Sequence, residues 1–102
     1  MKHKEHCEES IRLFGNPFHE VHSFLDEFAN LPDGLGGFRF NVYHRKYRHH
    51  LAGAKQVEEK FGRLAYEAAI RHIISDLKAG GGFMEGDEIP LDEEDYTKKG
   101  FI

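Results

Sequence analysis

Apolar residues recur along this chain at three- and four-residue steps, the period of a helix face, and Gly and Pro punctuate the runs. Residues 2–14 (KHKEHCEESIRLF) predict a first helix, which Gly15 is well placed to end. Asn16-Pro17 reads as an N-cap followed by proline at the first helical position. It opens a second helix that runs to about Asn30, with Phe18, Val21, Leu25 and Phe28 on its apolar face. Leu31–Phe38 (LPDGLGGF) reads as a loop. Tyr43, Tyr47, His50, Ala54, Val57 and Phe61 then step by 4-3-4-3-4 along one stripe, predicting a single third helix that Gly62 terminates. A fourth helix spans about Arg63 to Lys78 with Ala69, Ile70, Ile73, Ile74 and Leu77 facing inward, and Ala79-Gly80-Gly81-Gly82 ends it. The acidic stretch Glu85–Asp95 reads as a solvated tail whose last part, a short helix within Leu91–Lys99, docks through Tyr96 and Phe101. No strand pattern competes. The expectation is one all-α domain over residues 1–102. A bundle of about four helices fills 1–80, and an acidic loop with a short C-terminal helix or ordered tail follows over 81–102.

Composition narrows the class. A chain of 102 residues makes one domain with a modest core, and nine Phe with four Tyr supply bulk for it in the absence of Trp. A net charge of −4 argues against broad binding to polyanions. The single cysteine, Cys7, has no internal partner for a disulfide, which points to a reducing, cytoplasmic setting. No apolar run approaches the roughly 20 residues that a membrane span requires, and the charged amino terminus does not read as a secretory signal.

The chemistry is concentrated in eight histidines. His72 and Asp76 lie four apart, and His22 and Asp26 repeat the spacing, so each pair shares a helix face. Ala65, Ala69, His72 and Asp76 form one line whose two alanines leave room for a partner helix or an ion. His50 falls in the centre of the third-helix stripe, and His44 and His49 fall on its opposite flanks. On the first helix His3, Cys7, Ser10 and Phe14 share a line. Imidazole nitrogen with carboxylate oxygen suits zinc, iron or manganese, with the carboxylate as ligand or as orienter of a ligating His. The set predicted to hold a divalent transition metal is His22, Asp26, His50, His72 and Asp76. If the site is catalytic, His44 or His49 serves as proton shuttle and Arg45 or Arg48 holds a substrate phosphate. Each residue also has an ordinary reading. The i, i+4 pairs serve equally as surface hydrogen bonds, His50 as a satisfied core histidine, and His3 and His6 as solvated residues of a frayed terminus.

Other features carry less. Arg39, Tyr43, Arg45, Lys46, Tyr47 and Arg48 interleave basic and aromatic residues, a pattern that grips nucleic acid when it faces solvent. The tyrosines lie on the inward stripe, so a solvated basic face is the simpler reading. Gly80-Gly81-Gly82 lacks the Lys-Ser/Thr of a phosphate loop and ends a helix where such a loop would open one. Cys7 has no neighbour in sequence to activate it.

In chain order the segments HxxHCxxSIRLFG, VHSFLDEF, YHRKYRHHLAGAKQVEEKFG and AIRHIISDL resemble a small family of bacterial and phage proteins of unknown function. The residues that carry this resemblance are His3, His6, His22, Asp26, His44, Arg45, His49, His50, Gly53, Phe61, Gly62, His72, Asp76, Ile89 and Pro90. It covers most of the chain and implies no particular activity. The chain is more distantly similar to the HD phosphohydrolases, helical enzymes that hold one or two metals with a His…His-Asp…Asp set. His44, His49 and Asp76 take three of those parts, but His49-His50 stands where that family has His-Asp. Two functions therefore follow as expectations: metal-dependent phosphoester hydrolysis acting on a phosphorylated small molecule, or a binding module that engages a protein or nucleic-acid partner through the basic third helix. A homo-oligomeric bundle is a third.

Overall fold

A computed structural model describes residues 3–27, 45–80, 83–84 and 86–101, with the backbone alone at Arg45 and Lys46. Six helices and no strand occur among the described residues: α1 (His3–Phe14), α2 (His19–Leu25), α3 (Arg45–Arg48), α4 (Leu51–Phe61), α5 (Arg63–Ala79) and α6 (Glu93–Lys98). The protein is a small all-α bundle. Its long helix α5 packs against α1, α2 and α4. The predicted loop Leu31–Phe38 lies outside the described residues, as do His44 and the end of the predicted second helix.

The small side chains of α5 explain its central place. Ala65, Ala68 and Ala69 are buried beside Ile73 and Leu77, so neighbouring helices approach closely and meet Val21, Leu25, Ala54 and Val57. Full burial of each Val, Leu or Ile contributes roughly 1.5–3 kcal/mol, which makes this cluster the main source of cohesion. Gly15 ends α1 at φ 74°, donating its N–H to Ile11 O, as the sequence suggested. The start of α2 differs from expectation. Asn16 Oδ1 accepts the Phe18 N–H at 2.9 Å and Phe18 takes φ 52°, so a side-chain-closed turn precedes the helix and delays it to His19.

The predicted single third helix is broken at His49-His50, and this corrects the sequence reading. His50 is extended (φ −156°, ψ 175°) and becomes the N-cap of α4, its Nδ1 accepting the Gly53 N–H at 3.0 Å. The bend brings the chain back on itself so tightly that a Cβ at Gly53 would lie 2.0 Å from Arg48 O. Only glycine fits there. Helix period alone reads straight through this point because Ala54 and Val57, beyond the break, keep the stripe's spacing.

The C-terminal segment closes the same end of α4. Leu51 and Ala52, whose N–H groups have no intrahelical acceptor, donate to Pro90 O and Leu91 O at 2.9 Å each. Asp92 then caps α6 by accepting the Asp95 N–H, and Tyr96 is buried against Phe101, so the acidic tail docks as the sequence predicted.

Helix α1 has an inverted surface. His6, Cys7, Glu9 and Ser10 are buried, whereas Ile11 and Leu13 are 52% and 50% exposed. A helix that turns polar groups inward needs partners for them, and they come from α2 and α5.

Candidate metal centre

The line Ala65, Ala69, His72 and Asp76 on α5 is buried as predicted. Asp76 receives three imidazoles. His6 Nε2 from α1 approaches Oδ1 at 3.0 Å, and Oδ2 takes His49 Nε2 at 2.9 Å and His72 Nε2 at 3.1 Å. The nitrogens of His49 and His72 are themselves 3.1 Å apart. Asp26 Oδ1, at the C-cap of α2, lies 3.5 Å from His49 Nε2 and 3.4 Å from His72 Nε2. On the other side of the His72 ring, Nδ1 meets His22 Nδ1 at 2.8 Å, and His22 Nε2 meets Ser10 Oγ at 2.8 Å. The His6 ring stacks on His72 with centroids 3.6 Å apart. One ligand atom each from His6, Asp26, His72 and Asp76 falls within 4.8 Å of the others, and the same holds for His6, His22 and His72.

These separations are ones that a coordination shell could use. Bonds of about 2.1 Å to an ion place neighbouring ligands about 3.0 Å apart in an octahedron and about 3.4 Å apart in a tetrahedron. Protons alone fit the arrangement poorly. If His49 and His72 both carry Nε2–H, two N–H dipoles face each other. If either nitrogen keeps its lone pair, that pair faces carboxylate oxygen. A cation between the four atoms removes both conflicts.

Without an ion, the charges settle as the surroundings dictate. Burial, and then the like charges of His72, His6 and His3, push His22 down to about 3, although Asp26 opposes this. Burial pushes His49 down to about 4 despite its hydrogen bond to Asp76. Burial also works against charge on His72, but hydrogen bonds to Asp26 and Asp76 outweigh it, and its pKa is raised. Burial acts to raise the Asp76 pKa, but hydrogen bonds from His49, His6 and His72 hold it well below the carboxylate range. His72 is thus the histidine of the cluster whose charged form the two carboxylates favour.

A pH dependence follows. His22 and His49 bind protons near 6.5 when unfolded but only near 3 and 4 when folded, so between those values the unfolded chain holds more protons. His72, with its folded value raised, is protonated in both states below 6.5 and adds no slope there. The chelated protein should therefore lose stability as pH falls from 6.5 towards 4, with a slope above the one-proton value of about 1.4 kcal/mol per pH unit. Urea melts at several pH values in chelator would show it. A flat profile across that window would contradict the burial of two neutral imidazoles.

Neighbouring contacts hold the clustered side chains in register. Ser75 Oγ donates to Glu9 Oε1 at 2.8 Å, and Arg71 approaches the same carboxylate, fixing α1 on α5 so that His6 meets Asp76. Arg48 donates to Phe24 O at 2.7 Å, pairs with Glu27 and lies over the Phe24 ring. It ties the α3–α4 bend to the end of α2, beside the Asp26–His49 contact.

Of the residues that sequence assigned to the metal, His22, Asp26, His72 and Asp76 converge. His50 does not join them through Nδ1, because that lone pair caps α4. His49, expected as a proton shuttle, enters the ligand cluster itself. His44 lies outside the described residues, and so does the side chain of Arg45. Arg48, expected to hold phosphate, is engaged by Glu27 and Phe24. His6, read as a solvated residue, is fully buried on Asp76. No helix among the described residues is long and apolar enough to cross a membrane. Compared with family models, with curated proteins and with solved structures, the chain finds no match. Its chemistry must be read from the site.

Proposed function

We propose that this protein is a cytoplasmic metal-dependent hydrolase acting on phosphoesters, with the ion held by His49, His72, Asp76 and Asp26. The observation that carries this reading is the asymmetry of the cluster. The side chains of His49, His72 and Asp76 are at most 2% exposed, while Asp26 is 24% exposed. Three buried donors with mutual distances of 2.9, 3.1 and 3.1 Å suit one face of a coordination shell, and Asp26 is the most exposed of the four side chains. Two nitrogens and two carboxylates suit zinc, iron or manganese.

An ion held there would supply a Lewis acid, lowering the pKa of water and favouring an anionic oxygen. Asp26, the most exposed of the four, would offer Oδ1 to the ion and accept a proton from water at its other carboxylate oxygen. His22 fixes the ring of His72 through Nδ1, and His6 fixes the second oxygen of Asp76, so both act as positioning residues. The phosphoester class is what the similarity to HD phosphohydrolases implies.

The test is turnover of p-nitrophenyl phosphate and its diester with zinc, manganese or ferrous iron. Asp26→Asn, at saturating ion, is expected to reduce kcat by at least about 100-fold, the usual contribution of a proton acceptor. No turnover with any of the three ions, or an unchanged rate in Asp26→Asn, would overturn the assignment.

A further inference from the structure

A second group of ligating side chains lies at the amino-terminal ends of α1 and α2, and the phosphoester site makes no use of it. His19 Nδ1 sits 3.3 Å from His3 Nε2 and 3.3 Å from Cys7 Sγ, and all three atoms lie within 4.8 Å of one another. Cys7 is 5% exposed, while both histidines face solvent. The His3 and His19 rings stack with centroids 5.5 Å apart, and His3 meets His22 edge-on at 6.1 Å. As a hydrogen-bonded set this is poorly matched, since His19 Nδ1 has a single proton or a single lone pair to share between His3 Nε2 and Cys7 Sγ. As a ligand set it fits. Tetrahedral zinc, with bonds of about 2.3 Å to sulfur and about 2.0–2.1 Å to nitrogen, separates such donors by about 3.3–3.6 Å.

We propose that His3, Cys7 and His19 form a second metal site, selective for a thiophilic divalent ion such as zinc or cobalt and open to solvent at its fourth position. The thiol sheds its proton to solvent when the ion binds, and the thiolate–ion bond replaces S–H. The local field favours a cation. Burial and the nearby charges of Glu20 and Glu8 raise the Cys7 pKa, so in the absence of an ion the thiol stays protonated and quiet. The sulfur donor distinguishes this site from the His/Asp centre, whose donors are nitrogen and oxygen only. Neither site depends on the other for a ligand.

Cobalt(II) titration of the untagged full-length protein tests it. Cys7 is the only cysteine, so a sulfur-to-cobalt charge-transfer band in the near ultraviolet reports this site alone. The band is expected in wild type, saturating by two equivalents, since the His/Asp centre takes up an ion of its own. His3→Ala and His19→Ala, both at exposed positions, should each weaken cobalt binding at least about tenfold, with the helical circular dichroism unchanged. Absence of the band in wild type at millimolar cobalt would overturn the proposal. So would a band whose cobalt affinity is the same in wild type and both histidine variants.

Discussion

In a Cys7→Ser protein, where the cysteine site cannot form, Asp76→Asn should abolish the thermal stability gained from zinc or manganese and, in chelator, cost about 3 kcal/mol. Asp76 is 2% exposed and faces His6, His49 and His72, so its negative charge is the hub that ties α1 and the α3–α4 bend to α5. Asparagine keeps the shape but removes the charge and turns one acceptor into a donor facing an imidazole. Breaking a buried charged pair costs about 3–5 kcal/mol when the surviving charge has nowhere to go. Here the low end applies. The His72 pKa is raised only by Asp26 and Asp76, and with Asp76 neutral His72 can release its proton. The ion-dependent gain should vanish as well. An ion at 100 times its dissociation constant stabilises a protein by about 2.7 kcal/mol, and asparagine forfeits most of that affinity. Denaturant melts of both proteins, with and without ion, separate the two losses. A variant as stable as its Cys7→Ser parent in chelator would mean that Asp76 is not the hub.

Gly53→Ala has a sign that distinguishes two structures. In a straight helix the substitution would add roughly 0.5–1 kcal/mol of stability, because glycine is a poor helix residue. In the bent structure the new methyl group meets Arg48 O at 2.0 Å and Arg48 C at 2.6 Å. These are backbone atoms, which cannot rotate aside. The bend must open, at a cost at or beyond the roughly 1–3 kcal/mol typical of overpacking. Opening it also withdraws the neighbouring His49 from Asp76 and Asp26, so ion affinity falls together with stability. A stabilised variant in thermal melts would restore the continuous third helix that periodicity predicts.

Much of the fold was legible because it rests on period. The apolar stripes of the second and fourth predicted helices, the glycine stop at Gly15 and the docking of Tyr96 all follow from spacing and turn chemistry. The line Ala65, Ala69, His72 and Asp76 was legible for the same reason, and with it the α5 side of the His/Asp cluster. What period could not show was the break at His49-His50. It depends on a side-chain cap and on close approach of backbone at Gly53, neither of which changes the hydrophobic stripe. That break exchanges the roles of two adjacent histidines, turning His49 into the cluster and His50 into a cap. His6 was missed for a different reason. A polar residue near a terminus ordinarily faces water, and only the partners on α5 reveal that α1 buries its polar side.

The most direct test of the metal centre is ion content, measured by inductively coupled plasma mass spectrometry on untagged wild-type protein re-equilibrated with zinc, iron(II) or manganese and then desalted. To isolate the His/Asp centre from the cysteine site, the measurement is made on the Cys7→Ser background as well. About one equivalent retained on that background is the result expected of a shell built from His49, His72, Asp76 and Asp26. Less than about a tenth of an equivalent with all three ions would contradict it and leave the cluster a buried hydrogen-bonded network.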